Sequence, residues 1–287
     1  MDLLHLLESS PAAYGTVIAL LGLLIGSFLN VVIYRLPIIM ERTWSQQCRE
    51  LLEIEPADAG RERPFNLVWP ASSCPKCGHR IRAIENVPVV SYLFLRGRCA
   101  ACSTRIPARY PLIELTTAIA SVVTALHFGF SLQAAAALGF TWAIIPLCVI
   151  DYDRQLLPDN ITLPLLWAGL ALSLWGVFVD SQASIIGALA GYLSLWGIYH
   201  LFKLATGKEG MGYGDFKLLA AIGAWVGWQA LPVVILFSSI VGAATGILLI
   251  LLKGRERSQP IPFGPFLACA GWITLLWGQD IIRFYLG

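Results

Sequence analysis

Charge is what this 287-residue chain has little of: Asp, Glu, Lys and Arg make up 13% of it, against about 25% in an ordinary soluble domain. With 57% hydrophobic residues and a mean hydropathy of +0.69, a globule surrounded by water is excluded, because so few charges cannot cover its surface. Nor is one sign in excess. Twenty basic residues against 18 acidic ones leave a net charge of +2, which gives no case for a nucleic-acid partner. The marks of a cleaved signal peptide are also missing, since Met1 to Pro11 is acidic and no small-residue cleavage pattern follows the first apolar run. No glycine-rich strand-to-helix fingerprint of a soluble nucleotide fold is present.

What the chain does have is long apolar runs. Tyr14 to Tyr34 is uncharged, and about 20 residues at about 1.5 Å each cross a hydrocarbon layer of roughly 30 Å. Further spans are predicted near 111–128, 131–150, 160–179, 183–203, 217–230, 232–252 and 263–282. The expected fold is therefore an all-α polytopic membrane protein of about eight transmembrane helices. Segment 217–230 is short, and only Trp228, Gln229 and Pro232 mark a turn after it. Fused with the next segment, it would reduce the count to seven and reverse the last span.

The basic residues support eight. With Met1 outside, the inside segments are 36–109, 151–159, 204–216 and 253–262. Every Lys and Arg except Arg283 falls within these segments or at their mouths, the asymmetry expected of cytoplasmic loops.

Leu36 to Arg109 differs from the rest. It holds more than half of the 20 basic residues and five of the seven cysteines, and it is predicted to be a polar cytoplasmic insert. The organisation expected is a first transmembrane helix over 1–35, the insert over 36–109 and a membrane core over 110–287. Within the insert, Cys74-Pro-Lys-Cys77 and Cys99-Ala-Ala-Cys102 have the spacing of a zinc knuckle. Four thiolates complete a tetrahedral Zn²⁺ and leave no position for water, so the site would be structural. A metal would also supply folding free energy that so polar a segment lacks. Disulfides are the alternative, opposed by a reducing cytoplasm. Cys48, Cys148 and Cys269 have no partner at ligand spacing, and His79 competes only if the four cysteines do not suffice.

Acidic residues at a membrane helix are costly and call for a function. Two stretches carry them, Asp151-Tyr-Asp153-Arg-Gln-Leu-Leu-Pro-Asp159 and Gly210-Met-Gly212-Tyr-Gly214-Asp215-Phe-Lys217. Both fall on the inside face in this topology, so Asp151 and Asp215 can meet as an aspartyl dyad. One member would act as base on a water while the other, protonated, donates to a scissile carbonyl. Gly212 and Gly214 would let backbone approach a substrate. From the residues alone, two other readings stay open: an ion or proton pathway in a transporter, and simple helix capping by Asp153, Asp159 and Asp215. Capping is preferred for Asp159. Glu114, early in the second span, fits a pathway, a catalytic neighbour or a first-turn charge.

In order and spacing, Gly26-Ser-Phe-Leu-Asn-Val-Val-Ile-Tyr-Arg-Leu-Pro37, the two CxxC pairs, Pro111-Leu-Ile-Glu114, Asp151 to Asp159 and Gly210 to Lys217 resemble the bifunctional type IV prepilin peptidases, also called prepilin leader peptidases and N-methyltransferases. The resemblance implies that Asp151 and Asp215 are the catalytic pair of a GxGD membrane aspartic protease, with Gly212, Gly214, Asp153, Asp159 and Lys217 supporting the catalytic loops. It implies cleavage of a basic leader from type IV prepilins or pseudopilins at the cytoplasmic face of a bacterial inner membrane, and then methylation of the new amino terminus by S-adenosylmethionine. The four-cysteine insert goes with the bifunctional members. Glu114, Asp153 and Asp159 would attract the leader's positive charges. The methyl-donor region is expected at the insert and the end of the first span, including Asn30 and Arg35, with structural packing as the alternative reading of both. The basic excess of the insert can equally serve anionic membrane lipid. An ion-coupled transporter and a noncatalytic secretion-system assembly protein are the rivals.

Overall fold

The computed structural model describes residues 3–54, 64–253 and 261–286. Among the described residues the regular structure is helical, interrupted only by two isolated bridges in the cysteine-bearing segment. The chain forms two compact units, Met1–Val123 and Thr124–Gly287.

The first unit opens with α1 (Leu3–Ser9) and α2 (Pro11–Leu51). Ser10 caps α2, its hydroxyl accepting from the Ala13 N–H at 3.3 Å, and Pro11 takes the first helical position, where its missing N–H costs nothing. α2 does not stop at the predicted edge of the insert. It continues through Pro37 to Leu51, carrying about 24 Å of helix beyond residue 35 at about 1.5 Å per residue. A short α3 (Val90–Phe94) follows, then α4 (Arg109–Phe128), inside which the two units divide. α2 and α4 touch through glycine. A Cβ on Gly22 would stand 2.7 Å from the Ala118 Cα, and one on Gly26 would stand 2.7 Å from the Glu114 Cα. Small residues one turn apart are how apolar helices bring their backbones together.

The second unit holds α5 (Leu132–Arg154), α6 (Asp159–Ser173), α7 (Ser181–Thr206), α8 (Tyr213–Val226), α9 (Leu231–Lys253) and α10 (Gly264–Leu286). An apolar helix thus stands in each of the eight predicted spans. Six of the described helices are long and apolar enough to cross a membrane; α6 and α8, with 15 and 14 residues, are not. α8 has little need to. Every residue from Leu218 to Trp225 is buried, and α6, α7 and α10 pack around it, so its backbone and side chains are enclosed by protein. A short turn over Trp228–Ala230 separates α8 from α9, at the place where the sequence marked one.

The α7–α8 seam is backbone against backbone. A Cβ on Gly223 would collide with the Gly187 carbonyl, and one on Gly191 would lie 2.6 Å from the Leu219 carbonyl oxygen. Nearby, the Ser184 hydroxyl donates to the Ala224 carbonyl at 2.6 Å. Gly223→Ala is therefore expected to destabilise the protein by about 3 kcal/mol or more, because the seam must open to admit one methyl group. Gly197→Ala, on α7 with open space around it, is expected to be neutral or stabilising by about 1 kcal/mol. Thermal unfolding of both variants in the same detergent checks the contrast, and equal melting temperatures would refute it.

Candidate functional site

Asp151 lies in the last turn of α5, 6% exposed. The helix ends three residues later because Gln155 adopts a left-handed conformation (φ 52°) and returns its N–H to the Asp151 carbonyl at 2.8 Å. The carboxylate faces α10, whose first residue, Gly264, donates its backbone N–H to Asp151 Oδ2 at 3.1 Å. This position admits only glycine: a Cβ there would stand 2.6 Å from the same oxygen. Gly264 was missed by the sequence reasoning, although the Gly-Pro pair that opens the last span is a turn signal.

Asp215 enters from the other side. Gly212 is the N-cap of α8, and Asp215 falls in the first turn, where the helix dipole favours a negative charge. It is 7% exposed, and its Oδ1 is buried without a hydrogen-bond partner among the described residues. A buried polar atom left unpaired costs on the order of 1–3 kcal/mol, which a purely structural residue has no reason to bear. The carboxylates of Asp151 and Asp215 lie within electrostatic reach of each other. Leu157, buried in the α5–α6 connection, joins their supports: its Cβ would be 2.8 Å from a Cβ on Gly214, and its Cδ1 would be 3.2 Å from one on Gly264. The two glycines therefore let the chain close around Leu157 and draw α5, α8 and α10 to one point.

The other predicted site residues are placed as follows. Asp159 is the first residue of α6, but Pro158 is the N-cap and makes no side-chain cap bond. The carboxylate of Asp159 instead holds Lys217 of α8 in a two-pronged ion pair at 2.7 and 2.9 Å, which ties the start of α6 to α8 next to Asp215. Partly exposed, such a pair contributes mainly orientation. Asp153 is exposed near the end of α5. Behind the Gly212 loop, Tyr199, Tyr213 and Phe216 form a ring cluster with centroids 5.3 to 5.7 Å apart, and Lys203 pairs with Glu209 at 2.8 Å.

Glu114 belongs to the first unit, buried in α4, where it accepts the Val89 N–H at 2.7 Å. Val89 is a β-branched residue at φ +59°, a conformation that needs such an anchor. Asn30 donates to the Tyr110 carbonyl at 3.1 Å. Arg35 is buried and gives its guanidinium to three carbonyls, those of Asn66, Leu67 and Pro70, at 3.0, 3.3 and 2.6 Å. Both residues thus tie α2 to the rest of its unit.

The four cysteines form a matched pair of knuckles. In the first, Cys74 N–H donates to the His79 carbonyl and Gly78 N–H to the Cys74 carbonyl; in the second, Cys99 and Ser103 repeat this with Thr104 and Cys99. An antiparallel bridge closes each turn, Ser73 with Arg80 and Arg98 with Arg105. All four Sγ atoms lie within 4.8 Å of one another, with 3.8 Å between Cys74 and Cys102 and 4.0 Å between Cys77 and Cys99. A tetrahedron with Zn–S bonds near 2.3 Å has edges of about 3.8 Å, so these residues fit zinc. The charge balance points the same way. The Thr104 hydroxyl and backbone bring the Cys102 thiol down to about 6, and backbone N–H groups of Cys77 and Lys76 lower Cys74. Cys77, despite a favourable backbone group at His79, is pushed up to about 12 by desolvation and its thiol neighbours. Four sulfurs this close cannot all ionise without a cation. His79 is turned away to Glu85, 3.0 Å distant.

The family model described as the bacterial peptidase A24 N-terminal domain matches residues 20–128, and that of the type IV leader peptidase family matches residues 137–247. A prepilin leader peptidase/N-methyltransferase of Pseudomonas aeruginosa is 55% identical over 286 residues, covering 100% of this chain and 98% of its own. The protein of that name from Aeromonas hydrophila is 56% identical over 285 residues, 99% of this chain and 98% of its own. That from Dichelobacter nodosus is 51% identical over 273 residues, 93% of each chain. No solved structure matches the chain.

Proposed function

Because the chain belongs to the type IV leader peptidase family, we propose that it removes the basic leader from type IV prepilins or pseudopilins at the cytoplasmic face of the bacterial inner membrane and methylates the new amino terminus. It is a membrane aspartic endopeptidase with an N-methyltransferase activity. The observation that carries the peptidase reading is the unpaired, buried Oδ1 of Asp215 within electrostatic reach of Asp151.

Two carboxylates so placed hold one proton between them. The ionised member draws a proton from water as the oxygen attacks the scissile carbonyl; the protonated member gives its proton to the carbonyl oxygen and, as the tetrahedral adduct collapses, a proton passes to the leaving amine. The Gly264 N–H holds Asp151 by its Oδ2. Gly212, without a side chain, leaves room for an extended peptide, Gly214 lets Leu157 pack against the loop, and the Asp159–Lys217 pair fixes α6 against α8. The division of labour we infer gives proteolysis to the core, 110–287, and a zinc-stiffened scaffold for methylation to the insert, 36–109. S-adenosylmethionine, when bound, supplies its methyl group to the uncharged terminal amine, the S–C bonding pair returning to sulfur and the amine proton leaving to water.

The experiment is direct: purified protein in lipid, a full-length type IV prepilin, and intact-mass analysis with and without S-adenosylmethionine. Expected are loss of the leader in both samples and one added methyl in the second only. A prepilin that stays whole would refute the reading.

A further inference from the structure

The extension of α2 beyond the predicted membrane edge builds something the sequence did not announce. Its residues 38, 41, 42, 45 and 49 follow helical spacing and line one wall of a groove of about 1090 Å³; the segment from Pro64 to Pro70 forms the other wall. The size is slightly above that of ordinary small-ligand sites, about 300–1,000 Å³, and the helical wall runs about 16 Å at about 1.5 Å per residue.

The second wall is rigid. Arg35 grips its carbonyls from behind, as described above, and Asn66 Oδ1 accepts from the N–H groups of Val68 and Trp69 at 2.8 and 2.7 Å, while the Asn66 N–H returns to the Trp69 carbonyl at 2.8 Å. The backbone of Trp69 is thus held at both of its polar groups, yet the residue is 64% exposed. An anchored backbone that leaves a large aromatic side chain uncovered is what a stacking platform requires. Phe65 lies beside it, with the Arg42 guanidinium 4.5 Å over its ring. Among the described residues, Glu41, Ser45 and Arg49 complete the lining with one acid, one hydroxyl and a second cation.

Such a lining is mixed in charge and aromatic at one side. A polyphosphate would call for cations alone, and a fatty chain for neither charge. A planar heterocycle carrying a sugar diol and a zwitterionic amino-acid end matches each part: stacking on Trp69, the diol or ammonium toward Glu41, the carboxylate toward Arg42 and Arg49. We propose that this groove binds S-adenosylmethionine. The inference rests on the methyltransferase reading and gives it a location. It also gives Arg35, expected near the cofactor, the role of positioning the wall.

Ultraviolet cross-linking of methyl-tritiated S-adenosylmethionine to the purified, zinc-loaded protein in lipid tests the location, with peptide mapping of the label and protection by unlabelled S-adenosylhomocysteine. The expected label lies in 38–49 or 64–70. In equilibrium dialysis, Trp69→Ala is expected to weaken binding at least tenfold and Trp69→Phe to restore most of it, both variants keeping wild-type zinc content and melting temperature. Protected label elsewhere, or wild-type affinity in Trp69→Ala, overturns the groove while leaving the methyltransferase reading intact. Label suppressed by phosphatidylglycerol but not by S-adenosylhomocysteine would assign the groove to the lipid surface and overturn the proposal. No binding at all by protein that removes leaders would overturn both.

Discussion

Asp151→Asn and Asp215→Asn each lower the rate of leader removal by roughly 10³-fold or more, and the double variant is hardly worse than either single one. Groups that act as one unit lose their effect together, so the penalties do not add. An amide cannot take a proton from water at neutral pH or return one to a leaving amine, whereas general acid–base work by a positioned side chain contributes typically about 10²–10⁴-fold. The fold is expected to survive. An Asn at 151 still offers an oxygen to the Gly264 N–H, and an Asn at 215 removes a carboxylate buried beside another with one oxygen unpaired. Asp215→Asn should therefore melt at or above the wild-type temperature while being inactive, the trade between stability and activity found at functional sites. Quantifying leader release against time by intact mass, with melting curves from the same preparations, checks both halves. Leader removal within tenfold of wild type in either variant would end the dyad mechanism and return the transporter and capping readings.

Loss of one knuckle thiolate, as in Cys99→Ser, or removal of the metal by a strong chelator, unfolds the insert. Between residues 64 and 108 very little besides Cys74 is buried, so no hydrophobic core replaces the metal. Binding free energy of structural zinc in zinc-finger peptides is about 10–16 kcal/mol near neutral pH, and where no site exists in the unfolded chain it is folding free energy. The wild type is expected to carry one zinc per chain and the variant almost none, with rapid proteolysis between 64 and 108. Methyl addition should fall by at least 100-fold, because the Pro64–Pro70 wall leads directly into the first knuckle. Leader removal should fall far less, because Asp151, Asp215, Gly264 and Leu157 all belong to the second unit. Metal analysis, limited proteolysis and the two-part mass assay measure each in turn. A metal-free wild type with an intact insert would refute the structural role.

Much of this was legible from local pattern. Apolar runs of membrane length, the twin CxxC pairs and the aspartates beside glycines are signals written within a few residues of one another. Each kept its meaning because helix formation and knuckle turns depend on neighbours in sequence. The CxxC turns even repeat their backbone hydrogen bonds, Gly78 matching Ser103 at positive φ. The role of Asp159 was half legible for the same reason: it stands in the first turn of α6 as expected, but without a side-chain cap bond. A first-turn acid looks like a cap from sequence alone, and the partner that claims it, Lys217, is two helices away.

By itself, then, the sequence determined an all-helical membrane chain with a four-thiolate insert and two aspartates in a protease-like frame. Tertiary structure decided the rest. It carried α2 on to Leu51 and enclosed a 14-residue α8 that by length alone is a poor membrane span. It brought the Gly264 N–H to Asp151, set Leu157 against two glycines, and stood Trp69 across from Glu41 and Arg49. The physical reason is common to all of these: hydrophobic period and turn chemistry act over a few residues, whereas a contact is made by whichever surfaces packing brings together, and no local pattern records its partner.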